Sequence, residues 1–159
     1  TAAARLAAQI AAAYGEPLVL DGPAVPGLTH VFPRPDRLAG VDPSRFRMPN
    51  ARARGLVALA RTVATDPSVF HIGRSLDEVV AQLRTIPGIG PWTAQYIAMR
   101  EMREPDAFPA GDIGLMRALA DSDGKRPTAR ALEARAERWR PWRAYAAQHL
   151  WMVDPRRPA

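Results

Sequence analysis

A carboxylate at a helix start, a glycine-x-glycine turn between two helices and a set of tryptophans are the residues of this chain with the most chemistry to offer. Asp112 directly precedes Ile113-Gly114-Leu115-Met116, the place of an N-cap, where unpaired N–H groups and the helix dipole favour negative charge. Aspartate caps are common, so by itself the position reads first as a plain cap. An ionised carboxylate held there would serve better as an electrostatic stabiliser of developing positive charge than as a general acid. In Pro87-Gly88-Ile89-Gly90-Pro91, the glycines can take backbone angles closed to other residues and let a ligand approach the main chain. Their N–H groups, with those of the helix start that follows, would point at an anion such as phosphate. The same spacing also makes a tight helix-helix turn. Indole faces attract cations, but most tryptophans belong to the core, and Trp139 and Trp142 are assigned there. His71 has no second imidazole or carboxylate at metal-ligand spacing, so no metal site is expected around it.

The flanking elements are legible. Ser75-Leu76-Asp77-Glu78 has the form of a capping box, and Leu76, Val79, Val80 and Leu83 recur at the spacing of one helical face, which predicts a helix over 76–86. Pro91 suits the first position of a second helix, predicted over 91–101 with Ala94, Ile97 and Ala98 on its buried side. Residues 104–111 read as a loop that delivers Asp112 to a helix over 113–120. Thr128 caps a further helix through 136, and Pro141 opens the last, to about 152. Upstream, the alanine-rich 2–14 forms a helix ended by Gly15. Residues 16–35, with prolines at 17, 23, 26, 33 and 35, form an irregular connection. Asp42-Pro43 starts a short helix to about 47. A longer one over 50–65 carries Leu56, Leu59, Ala60 and Val63 on one side and packs behind the hairpin. No β pattern is evident, and the chain is assigned to the all-α class.

The 159 residues, 47% hydrophobic and 24% charged, are enough for one substantial core. They include no cysteine, so they offer no disulfide, thiolate zinc site or thiolate-held iron–sulfur cluster. No apolar run approaches the roughly 20 residues needed to span a bilayer, and a soluble intracellular protein is expected. The start inside a helical pattern without methionine suggests a processed chain or a fragment. The net charge of +6 is uneven: residues 1–116 hold 12 Arg against 11 acids, whereas 117–159 hold 9 Arg and Lys125 against 5 acids. A basic excess attracts polyanions, although surface arginines are often only solvated.

Ile86-Pro87-Gly88-Ile89-Gly90-Pro91-Trp92-Thr93-Ala94 resembles the hairpin of the helix-hairpin-helix GPD superfamily of DNA glycosylases, and the pair Gly111-Asp112 stands where that superfamily has its essential aspartate. Glu137-Arg138-Trp139-Arg140-Pro141-Trp142-Arg143 followed by His149-Leu150-Trp151 fits the alkylbase branch, the 3-methyladenine DNA glycosylase II type. The resemblance implies a helix-hairpin-helix fold in two helical lobes, about 1–103 and 104–159, around a cleft and lacking upstream elements. It implies Asp112 as the catalytic residue, Trp92, Tyr96 and Trp151 as the base pocket, and Gly88, Ile89, Gly90 and Thr93 as the DNA-backbone contact. It further implies a monovalent cation on the carbonyls of Arg84, Ile86 and Gly88, and no cofactor for catalysis. Relatives that also cut the strand have their Schiff-base lysine where this chain has Trp92, so a monofunctional enzyme is expected. Ile113 stands where relatives of the branch have an aromatic residue, and the intercalating wedge of those relatives lies upstream of the position matched by Thr1.

The implied chemistry is economical. An alkylated purine already carries positive charge and leaves as a neutral base, so the remaining task is to stabilise the cationic sugar. A carboxylate at about 4 Å and an effective dielectric near 20 supplies about 4 kcal/mol, roughly a thousandfold in rate. The base must be flipped from the duplex and held between aromatic groups. The expected partner is double-stranded DNA with alkylated bases, bound by a monomer that is cytoplasmic, nucleoid-associated and bacterial. The alternative is a non-catalytic helix-hairpin-helix DNA-binding module in which Asp112 is merely a cap.

Overall fold

The computed structural model describes residues 2–19, 25–70 and 75–153. Among the described residues helices are the only regular elements, and the sole β feature is an isolated antiparallel bridge between Pro17 and His30, which agrees with the all-α assignment. The chain divides into two compact units, residues 1–69 with 86–88, and residues 70–85 with 89–159. The boundary near Glu104 read from the sequence falls inside the second unit.

The first unit holds α1 (Ala2–Tyr14), α2 (Pro35–Ala39), a 3-10 turn (Pro43–Arg45) and α3 (Asn50–Thr65). Its core joins Ile10, Leu38, Phe46, Ala53, Val57 and Ala60, and Tyr14 tilts onto Phe46 with ring centroids 5.5 Å apart. The buried stripe of α3 is Ala53, Val57 and Ala60; of the expected face, Ala60 is buried, Leu56 packs partly buried against the same core, and Leu59 and Val63 are half-buried. Small side chains are what let neighbouring backbone come close, and Gly55 of the same helix shows it. A Cβ on Gly55 would lie 3.3 Å from the Pro87 carbonyl oxygen, and one on Gly88 would lie 3.0 Å from the Gly55 Cα. α3 thus packs behind Pro87 and Gly88 through a glycine–glycine approach. The short α2 escapes the sequence reading because it begins at Pro35, the last of five prolines in a stretch read as irregular.

The second unit holds α4 (Leu76–Arg84), α5 (Pro91–Arg100), α6 (Ile113–Ala118), α7 (Ala129–Ala136) and α8 (Arg143–Val153). The capping box of α4 is complete: Ser75 accepts from the Glu78 N–H, and the Glu78 carboxylate accepts from the Ser75 N–H at 2.8 Å. Thr128 caps α7 by accepting from the Ala131 N–H. α4 ends two residues before the predicted Ile86, because the Thr85 N–H turns back onto the Gln82 and Leu83 carbonyls and Ile86 is already engaged in burial. α8 begins at Arg143 rather than Pro141, whose peptide bond to Arg140 is cis. The assignment of Trp142 to the core is corrected here. The buried face of α8 runs through Arg143, Ala144 and Ala147, which leaves Trp142 58% exposed, its ring edge-on to Tyr145 at 5.6 Å. Trp139, half-buried, packs edge-on against the buried Phe108.

Candidate functional site

The hairpin gives its glycines different duties. Gly88 has φ +88°, a left-handed conformation that a side chain disfavours, and it is also the residue pressed against Gly55. Gly90 has φ −84° and ψ 177° as the N-cap of α5, and nothing lies within 4 Å of where its Cβ would be. The fold therefore requires glycine at 88 and leaves 90 open. α4, α6 and α7 each have a side chain on their N-terminal amides, whereas α5 has no side-chain cap at Gly90. With Pro91 at its first position, α5 presents the N–H groups of Trp92 and Thr93 without such a competitor. Ile89 differs from its neighbours: its side chain is buried at 8% exposure, so any contact it makes with a ligand comes from its main chain. His71 lies outside the described residues.

Asp112, Trp92, Tyr96 and Trp151 come together within the second unit. Pro109–Asp112 turns through an N–H of Asp112 to the Pro109 carbonyl at 2.9 Å, and Asp112 then caps α6, its Oδ1 accepting from the Leu115 N–H at 3.0 Å. The cap is only part of its surroundings. The same Oδ1 accepts from Trp151 Nε1 at 2.8 Å, and Oδ2 accepts from Trp92 Nε1 at 3.0 Å. α6 and α8 pack on one another, which brings Trp151 to the start of α6. α5 supplies the rest: Trp92 stacks on Tyr96 at 5.1 Å and 18°, and Tyr96 tilts toward Trp151 at 6.0 Å. Arg100 lies over Tyr96 at 5.9 Å from its centroid. Trp92, Tyr96 and Arg100 follow at intervals of four on α5, a spacing that aligns side chains on one helical face.

Chemically this is a carboxylate whose two oxygens are fixed by three N–H donors, two of them on the edges of indole rings. Donors that are already in place cost no reorganisation when charge develops nearby. The carboxylate stays half-buried and Trp92 is 40% exposed, so a molecule can reach both. Ile113, next in sequence, is exposed as well.

Three further groups were not picked out as functional from the sequence. The Gln95 side chain accepts from the Phe108 N–H at 2.9 Å and so ties α5 to the loop before Asp112. Asp106 in that loop takes a two-pronged bond from Arg143, at 2.8 and 2.9 Å. The signal for Arg143 was its place ahead of Ala144 and Ala147, on the buried side of a helix, where an arginine has to be paired.

No family model matches the chain. It is 45% identical over 150 residues to a probable bifunctional transcriptional activator/DNA repair enzyme AlkA of Mycobacterium tuberculosis, covering 94% of this chain and 29% of that protein. It is 35% identical over 159 residues to DNA-3-methyladenine glycosylase 2 of Escherichia coli, covering 98% of this chain and 53% of that one. The chain thus spans about half, or less, of the length of these relatives. In structure it matches a 3-methyladenine DNA glycosylase of Archaeoglobus fulgidus with a TM-score of 0.75 at 23% identity, covering 96% of this chain and 52% of the other. The sequence is homologous along nearly its whole length to DNA-3-methyladenine glycosylase 2, and the fold is that of the helix-hairpin-helix DNA glycosylases.

Proposed function

We propose that the chain is the catalytic region of a monofunctional DNA glycosylase that hydrolyses the N-glycosidic bond of alkylated purines, such as 3-methyladenine, in duplex DNA for base-excision repair. The observation that carries this reading is the Asp112 carboxylate held on both oxygens by the indole N–H groups of Trp92 and Trp151. A plain cap needs the Leu115 bond alone. A fixed carboxylate among aromatic faces is what a cationic sugar and a cationic, flipped base require. The outer face of Trp92 and the ring of Trp151 are the natural surfaces for that base. Tyr96 backs them, since Trp92 stacks on it and Arg100 also lies over its ring.

DNA would be held through its backbone, with phosphate at the open Gly90 and at the amides of Trp92 and Thr93 that begin α5. The cation implied by the resemblance would take the main-chain carbonyls of Arg84, Ile86 and Gly88. These are oxygen donors of the kind hard cations prefer, and they follow the Gln82 and Leu83 carbonyls that Thr85 already satisfies. Such an ion would bridge protein and phosphate and take no part in bond cleavage. The hydrolysis itself would need no cofactor, because an alkylated purine leaves as a neutral base, and the enzyme would act as a monomer.

The deciding experiment is release of free base from methylated duplex DNA, measured in single turnover with the 159-residue chain and with a version extended at its N-terminus. The expected outcome is release of alkylated purine by the extended version at least. DNA binding without base release by both would make the chain a non-catalytic helix-hairpin-helix module.

A further inference from the structure

The loop that delivers Asp112 is anchored at a second point. Arg143 is 6% exposed, rare for arginine and tolerable only when its charge is met. Its Nε and one Nη grip the two oxygens of Asp106 at 2.8 and 2.9 Å, and its other Nη donates to Glu137 at 3.1 Å. Arg140 closes the network, donating to Asp106 at 2.6 Å and to Glu137 at 2.8 Å. Beside it the Ala144 N–H donates to the Pro105 carbonyl at 2.9 Å. The first turn of α8 is therefore bound to residues 105 and 106.

Asp106 lies six residues before Asp112, and Arg143 lies eight residues, about two helical turns, before Trp151. The same loop and the same helix thus meet twice, at Asp106–Arg143 and at Asp112–Trp151. A two-pronged guanidinium–carboxylate bond fixes angle as well as distance. A second contact on the same two elements then has little freedom left. We infer that Asp106 and Arg143 are positioning residues that set the register of α8 against the loop and so hold Asp112 and the Trp151 indole in hydrogen-bonding order. A buried ion pair is a poor way to add stability compared with apolar packing, and geometry is what it does supply here. The consequence for rate rests on the glycosylase reading above; the consequence for Trp151 does not.

The test uses Arg143→Lys, which keeps the charge and loses the fork, and Asp106→Asn, which keeps the shape and loses the charge. Hydrogen exchange of the Trp151 indole proton, assigned by Trp151→Phe, is followed by NMR under native conditions, and single-turnover base release and DNA affinity are measured alongside. The expected result is at least tenfold faster exchange at Trp151 and a roughly tenfold slower release, with affinity for undamaged duplex within twofold of the parent. A merely stabilising pair would lower the melting temperature and leave native exchange at Trp151 unchanged in a folded variant, which would overturn the inference. Failure of both variants to fold would also overturn it, since the pair would then be a requirement of folding. An N-terminally extended parent that releases no base would sink the glycosylase reading, while the exchange measurement still decides the positioning role.

Discussion

At the scale of residues, Asp112 caps α6 and also holds two indoles, and the way its two oxygens share these bonds determines how it should be tested. Its Oδ1 accepts from the Leu115 N–H and from Trp151, while Oδ2 serves Trp92 alone. In Asp112→Asn the amide oxygen can keep the first pair, so α6 stays capped. The amide nitrogen then stands against the Trp92 N–H, donor facing donor at a site now 3.0 Å across. The asparagine variant therefore removes a charge and also disturbs one indole, and Trp92→Phe separates the two by removing the donor while keeping a ring. Loss of the charge should cost roughly a hundredfold or more in single-turnover rate. Trp92→Phe, with the charge retained, should cost about tenfold, the lower end for a hydrogen bond to a charged group. Equal losses from the two, in proteins of unchanged helicity, would remove the negative charge from the mechanism. Sequence spacing could place Asp112 at a cap but not the two indoles upon it, because those bonds span 20 and 39 residues and no periodicity encodes them.

At the scale of elements, the hairpin separates a glycine the fold needs from one that it leaves free. Both looked alike in Pro87-Gly88-Ile89-Gly90-Pro91, where type and spacing announce a turn but not the angle each residue takes. Gly88→Ala should destabilise by about 1 to 3 kcal/mol, because φ there is +88° and the new Cβ meets α3 at Gly55. It is therefore a poor probe of DNA contact. Gly90→Asp is a sharper one: the extended conformation and empty surroundings of Gly90 accept a side chain, and an aspartate there can cap α5 and complement its dipole. Thermal stability should stay level or rise, whereas affinity for duplex DNA should fall at least tenfold. Gly90→Ser, which caps without charge, should fall by less. Unchanged DNA affinity in both would end the idea that phosphate approaches α5 at this point. Capping motifs explain why so many helix starts were readable in advance: Ser75, Asp112 and Thr128 are local signals, and each has its expected N–H donor. The misread boundaries, at Ile86 and Pro141, lie where burial or a fixed ion pair overrides the local pattern.

At the scale of the whole molecule, class and hairpin were legible because helix periodicity and caps are local, whereas the charge balance could be read only as a basic excess in the last quarter of the chain. The structure sorts that excess. Arg140 and Arg143 are matched by Asp106 and Glu137, so two arginines of the basic last quarter are already committed internally. Among the described residues Lys125, Arg126, Arg130, Arg135 and Arg138 are exposed, and a polyanion could meet them. If they face DNA, each phosphate neutralised releases condensed counterions, and the logarithm of affinity falls with the logarithm of salt by about 0.9 per contact. The double variant Arg126→Gln, Arg130→Gln should then bind undamaged duplex more weakly at low salt and flatten that slope by up to about 2. The substitutions are exposed, so stability should move by no more than about 0.5 kcal/mol each. Base release at saturating DNA should not change, since neither residue is near Asp112 in the hydrogen-bond pattern described. A salt slope identical to that of the parent would show that these arginines are solvated only, and would leave the backbone contact to the hairpin and the start of α5.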